Sequence, residues 1–290
     1  MASLKEIRAR ITSVGSTQKI TSAMKMVSAA KLKKAESTTV RFLPYKNKLS
    51  EALTNYLGSL EGEVNIPLAE HREVKKVALM AFSSSSGLCG VYNSSVCKLF
   101  KHAYDEYAES LGAENVIVFL VGKKISDFAK KFDIKVDKYY EPMSEKPNFD
   151  SAAEISDMMV ELFLSHKVDR VELIYNHFKN AGVQVPQREI ILPLKAEAAS
   201  EEQAFDYIVE PNKEEFINDL VPKVVRTNFY SIMLDTFTAE HGARMTAMHI
   251  ASDNANELLQ ELKIQYNKAR QNVITNELID IVGGAEALNG

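Results

Sequence analysis

The 290 residues carry 35 Lys and Arg against 39 Asp and Glu, a net charge of -4, with 46% hydrophobic and 26% charged residues. That balance excludes a disordered or collagen-like chain, and it gives no global drive toward nucleic acid or anionic lipid, so electrostatic recognition has to come from a local patch. Cys89 and Cys97 lack C-x-x-C spacing and the histidines are scattered, which argues for a reducing compartment and against structural zinc; no apolar run approaches the ~18 to 20 residues that span a bilayer.

In chain order, Ser3 and Glu6 form an S-x-x-E capping box, and Leu4, Ile7, Ile11 and Val14 follow in 3-4 spacing. They predict a helix from Leu4 to about Leu57, with Gly15 and Pro44 as weak points, the second a kink or short break. Gly58 to Pro67 reads as a linker. Val74 to Phe82 then has a strand pattern ending in a Ser/Gly turn, followed by a helix from about Tyr92 to Leu111. Val116 to Val121 and Lys123 to Lys131 repeat the unit. Tyr140 to Asn148 reads as a loop, Ser151 to Ser165 as a helix, and Val168 to Tyr175 as a strand. This alternation predicts βαβ units with a mainly parallel sheet, and Gln184 to Leu194, with Pro186 and Pro193, suits an edge strand.

A helical pattern returns after Tyr207 to Pro211, with Asn212 as N-cap and Glu214 and Glu215 in the first turn, and runs to Gly283 and Gly284. At ~1.5 Å per residue it would reach on the order of 100 Å, and the N-terminal helix roughly 80 Å, so the middle domain cannot cover either one. They are expected to cover each other. Ala251, Ala255, Leu258, Leu262, Tyr266, Ala269 and Val273 form the expected seam of one helix. Ile20, Met24 and Val27, with small residues beside them, continue that of the other. The expected divisions are a shaft helix over 1–57, an α/β domain over 74–210 and a second shaft helix over 212–283.

Candidate chemistry is sparse. The loop Ser83 to Asn93 sits where a helix N-terminus could hold a phosphate, but it lacks G-x-G-x-x-G, a P-loop ending and any basic residue, which favours a structural turn. Cys89 has no His or Asp at a recognisable spacing to activate it. The carboxylates at 197–202 and 214–215 read as a solvated loop and a helix start, and Met245 and Met248 with Met24 and Met26 as packing. The stretch from Ile7 to Ala35 is basic and free of carboxylates. It has the composition of a targeting peptide, yet the helix continues past any plausible cleavage point. A nucleic-acid arm would use Arg8, Arg10, Lys19, Lys25, Lys31, Lys33 and Lys34, yet no aromatic is interleaved for stacking. A solvated face remains open, and a face set against an acidic protein surface is favoured.

Both ends resemble a known family. Lys5 to Val14, Thr17 to Val27, Ala243 to Met248, Ala251 to Ala255 and Tyr266 to Leu278, with Gly87-Leu-Cys-Gly90 between them, closely resemble the gamma subunit of F-type ATP synthase. The resemblance implies an antiparallel coiled coil of the terminal helices plus a central Rossmann-like α/β domain, acting as a non-catalytic rotor without cofactor or metal. It implies alpha and beta subunits, the epsilon subunit and the c ring as partners, with no nucleic acid. It also implies a peripheral location on the cytoplasmic face of a bacterial inner membrane. Carried over by position, Arg270, Gln271, Thr275 and Glu277 match upper-shaft contacts with beta. Met24 and Lys25 match the region facing beta's acidic lever segment, with Arg8 and Arg10 on the same helix. Tyr207, Glu210 and Pro211 lie near epsilon and c-ring contacts. Ser85 and Ser86 stand where the family often has Asp-Arg, Val91 where it often has Gly, and Ser252 where Thr is usual. The rival expectations are a small α/β enzyme with a coiled-coil oligomerisation stalk and a nucleic-acid binder.

Overall fold

A computed structural model of the chain describes residues 3–58, 66–140, 147–194 and 213–289. Tyr207, Glu210, Pro211 and the expected cap Asn212 lie outside the described residues, as does most of the linker expected after Gly58.

Helix α1 spans Leu4–Gly58. Its capping box closes as the sequence requires: the Ser3 amide donates to Glu6 Oε2 at 2.9 Å and the Glu6 amide to Ser3 Oγ at 3.3 Å. The break expected at Pro44 does not occur, and the helix runs through it. Pro44 is exposed, so the carbonyl that loses its intrahelical donor there can reach water. Helix α5 spans Lys213–Asn289, with Pro222 inside it, and does not stop at Gly283 and Gly284 as expected.

Between them, β1 (Val77–Phe82), α2 (Tyr92–Leu111), β2 (Val116–Val121), α3 (Lys123–Lys131), β3 (Lys138–Tyr140), α4 (Phe149–Leu164), β4 (Arg170–Asn180) and β5 (Val183–Leu192) form one five-stranded sheet of order β3-β2-β1-β4-β5. β1 pairs in parallel with β2 and β4, β2 pairs in parallel with β3, and β5 is the antiparallel edge strand. β3 was not anticipated, because three residues are too few to show a period. β1 starts three residues later than its apolar pattern suggests. Asp169 takes the amides of Lys75 and Lys76 at 2.9 Å each and Arg72 Nε at 2.7 Å, so those two residues join a loop-to-strand staple.

Every side chain of β1 is buried, as expected of a central strand covered on both faces. Its alternation sorts the core. Ala78, Met80 and Phe82 meet α4, Leu53 and Tyr56 of α1, and the stretch of α5 from Ile217 to Met233. Val77, Leu79 and Ala81 meet Val96 and Phe100 of α2 and Ile125 and Ala129 of α3.

The chain divides into two compact units, residues 1–28 with 245–290 and residues 29–244, so each division falls inside a long helix.

Candidate functional site

The serines and Asn93 of the Ser/Gly loop after β1 are engaged within their own unit. The amide of Ile125 donates to Ser83 Oγ at 2.9 Å and that of Lys124 to the Ser84 carbonyl at 3.2 Å, which occupies the N-terminal donors of α3. The Ser84 amide donates to Asn93 Oδ1 at 3.0 Å, and Asn93 Nδ2 to Ser84 Oγ at 2.8 Å. The space beyond the strand ends holds α5 itself. Tyr92 donates its hydroxyl proton to the Thr236 carbonyl at 3.1 Å, and Arg244 donates to Ser86 Oγ at 2.9 Å. Ser86, one of the departures from the family pattern, is thus the acceptor for Arg244. Arg244 also pairs with Glu240 at 2.6 Å, both side chains 8% exposed.

Cys89 is buried, and its thiol is pushed up by that burial, with Ser84 and Arg244 pulling the other way. A thiol held protonated is no nucleophile at neutral pH. A cleft of about 640 Å³ in the same unit is lined by Tyr175, His177, Ser231 and Asp235 among others. His177 Nδ1 sits 2.6 Å from Asp235 Oδ2, but Ser231 has no hydrogen bond to the ring among the described residues, so the pair orients no nucleophile. No group of three or more metal-ligating side chains occurs among the described residues.

Burial drives the His241 imidazole down to about 3, aided by the charges of Arg244 and Lys31, and its Nε2 has no hydrogen-bond partner among the described residues. The unfolded chain therefore takes up a proton there that the folded chain refuses. Stability is fully present above the ordinary histidine range and is lost as pH falls from there toward about 3, at up to ~1.4 kcal/mol per pH unit. Urea unfolding between pH 7.5 and 5 should show this slope, and His241→Gln should flatten it.

The other unit pairs α1 with α5 in antiparallel register. Lys25 meets His249 at 3.1 Å, Ser22 meets Ser252 at 3.4 Å, and a side chain at Gly15 would touch Leu259. Each step along α1 is matched by an equal step back along α5, so Leu4 falls opposite Arg270. At Ile20 and Val27 the seam departs from the expected one by a single position. Ile20 and Val27, expected inside, are 59% and 57% exposed, and Leu258 and Val273 also face outward. Thr21, Ser28 and Ser252 are buried instead, with Ser252 Oγ donating to Thr21 Oγ1 at 2.8 Å. Ala251 is half-buried, whereas Ala255 and Leu262 are buried as expected, with Tyr266 and Ala269 half-buried. One position along a helix is a rotation of ~100°, which takes a side chain from the seam to the flank. Thr21 and Ser28 are seven apart, a heptad signal that the sequence carries in polar letters.

The expected contact residues fall into two groups on this unit. Arg8 and Arg10 are exposed near the start of α1, opposite Tyr266 and Ile264 in this register, and Arg270 and Gln271 are exposed about one turn or more beyond them. Met24 and Lys25 are half-buried, ~25 Å further along α1. Thr275 and Glu277 lie beyond the level of Leu4, where α1 begins. From Gln271 to Ala285 every side chain of α5 is exposed, including Val273, Ile274, Leu278, Ile279, Ile281 and Val282. His249 and Asp253, beside Lys25, were not singled out from sequence, since neither belongs to the seam.

No helix among the described residues is long and apolar enough to cross a membrane. The family model described as ATP synthase matches residues 3–288. The ATP synthase gamma chain of Flavobacterium johnsoniae is 52% identical over the full length of both chains, and that of Bacteroides fragilis is 49% identical over 99% of this chain and all of the relative. Among solved structures, a chain of the Tetrahymena thermophila mitochondrial ATP synthase central stalk and c ring is 26% identical with a TM-score of 0.60, covering 80% of this chain and 99% of that one. A chain of the Euglena gracilis mitochondrial enzyme, 19% identical with a TM-score of 0.67 over 98% of this chain and 94% of that one, shares the fold. A helical pair with many apolar side chains on its outer surface, an α/β unit whose loop grips the long helix, and full-length identity of this order lead to one conclusion: the chain belongs to the ATP synthase gamma chain family.

Proposed function

We propose that the chain is the non-catalytic shaft of a rotary ATP synthase, with its helical pair inside a ring of alpha and beta subunits. The observation that carries this is the exposed apolar surface of the helical pair: hydroxyls take part of the seam, and Ile20, Met26, Val27, Ile250, Ile264 and the apolar residues past Gln271 lie on the outside. An apolar face of that extent on a folded unit marks an interface. A bearing formed by a surrounding ring would cover it.

In this reading Arg8, Arg10, Met24, Lys25, Arg270, Gln271, Thr275 and Glu277 meet the alpha and beta ring. Basic side chains on the shaft re-pair with acidic levers at successive angles. Each exposed pair contributes only ~0.2 to 1 kcal/mol, so no one angle becomes a trap. The chain is held peripherally at the cytoplasmic face of a bacterial inner membrane through the c ring, with epsilon bound beside it. Tyr207, Glu210 and Pro211 belong to that lower contact.

Co-expression with the matching alpha and beta subunits should yield a complex whose ATP hydrolysis depends on this chain. A stable monomer that never joins it would contradict the reading. Because Arg270 and Gln271 are exposed, their double alanine variant should keep the thermal midpoint of the isolated chain while lowering ATP-driven ion pumping severalfold. Unchanged pumping would remove both from the contact set.

A further inference from the structure

We propose that His249 is a positioning residue that holds or releases Lys25 according to the protonation of one ring nitrogen. His249 Nδ1 lies 3.1 Å from Lys25 Nζ on α1 and 3.2 Å from Asp253 Oδ2 one turn further along α5. A single nitrogen cannot serve both neighbours together. An ammonium only donates, so its bond to the ring uses the Nδ1 lone pair. A carboxylate only accepts, so its bond uses a proton on Nδ1. The two hydrogen bonds therefore exclude each other.

With Nδ1 bare, Lys25 is tied to the flank of the helical pair. When Nδ1 takes a proton, the ring turns its donor to Asp253, and Lys25 loses its acceptor and gains a like charge beside it. Among the described residues, Lys25 from α1 and Asp253 from α5 are the charged side chains in contact with the ring. The His249 and Asp253 side chains are 55% and 58% exposed, so water screens the exchange and its effect is graded.

The consequence for turnover rests on the shaft reading. Lys25 stands beside Met24, at the level assigned to an acidic surface of the ring. Acidification frees one more mobile cation to pair with that surface, which holds the shaft more tightly and slows it. The effect on hydrolysis should be about two- to fivefold, the range that an exposed ion pair supports.

The test has two arms. In the full chain carrying ¹⁵N-labelled histidine, with His249→Gln identifying the signal, Nδ1 of His249 should be unprotonated at pH 8. It should become protonated on acidification, and Lys25→Met should raise the share of Nδ1-protonated ring at pH 8. An Nδ1-protonated neutral ring at pH 8 in the unaltered chain, or no response to Lys25→Met, overturns the shared-atom exchange. In the assembled alpha–beta complex, the ratio of wild-type to His249→Gln hydrolysis should fall about two- to fivefold from pH 8 to pH 6, and that fall should vanish in a Lys25→Met background. Parallel profiles with the exchange intact in the first arm overturn its effect on turnover. Failure of the chain to enter any complex counts against the shaft reading, and the first arm still decides the exchange.

Discussion

Replacing Arg244 with alanine is expected to destabilise the α/β unit by about 3–5 kcal/mol, because it removes the cation of a buried ion pair. Glu240 and Arg244 are four residues apart on α5, both nearly closed to solvent, and Arg244 extends past its partner to Ser86 Oγ in the loop after β1. The pair thus fastens the long helix to the sheet. Breaking it removes the charge that offsets the desolvation of Glu240. The comparison that isolates this cause is Arg244→Met with Glu240→Leu, which removes both charges while keeping volume. Urea unfolding should show the double variant recovering most of the loss. Equal losses in the single and double variants would place the stabilisation in packing rather than charge.

Gly122→Ala is expected to cost about 3 kcal/mol or more, enough to impair folding of the unit. Gly122 ends β2 with φ at +94°, where L side chains are strained, and a Cβ there would stand 2.1 Å from the Ser83 carbonyl oxygen. The obstacle is backbone and cannot rotate away. Relief would have to separate the ends of β1 and β2, where the Ser83 amide donates to the Val121 carbonyl at 2.8 Å. Circular dichroism and yield of the soluble variant test this; a chain of normal stability would mean that the two strand ends separate at little cost.

The sequence was most legible where a local rule and the packed structure agree. The capping box at Ser3 and Glu6 is a short-range reciprocal pair that needs no tertiary context. The strands Val116–Val121 and Val77–Phe82 are apolar on both faces because helices cover both. It was least legible where the environment lies outside the chain. Ile20 and Val27 look like core residues because apolar side chains usually are, but here the seam takes Thr21 and Ser28 and the apolar pair is turned outward. A rule that places apolar residues inside therefore errs by one position. Pro44 and Pro222 are poor guides for a similar reason: one missing hydrogen bond in so long a helix does not end it. The relation of Lys25 to His249 and Asp253 depends on an interhelical register that no single-helix pattern encodes.

A shaft has to turn. The most direct measurement fixes the assembled alpha–beta complex to a surface, attaches a bead to this chain at an exposed position of the α/β unit, and follows the bead on adding ATP. Unidirectional rotation that stops when ATP is withdrawn is the predicted result. A bead that stays fixed while the complex hydrolyses ATP at full rate would contradict the account.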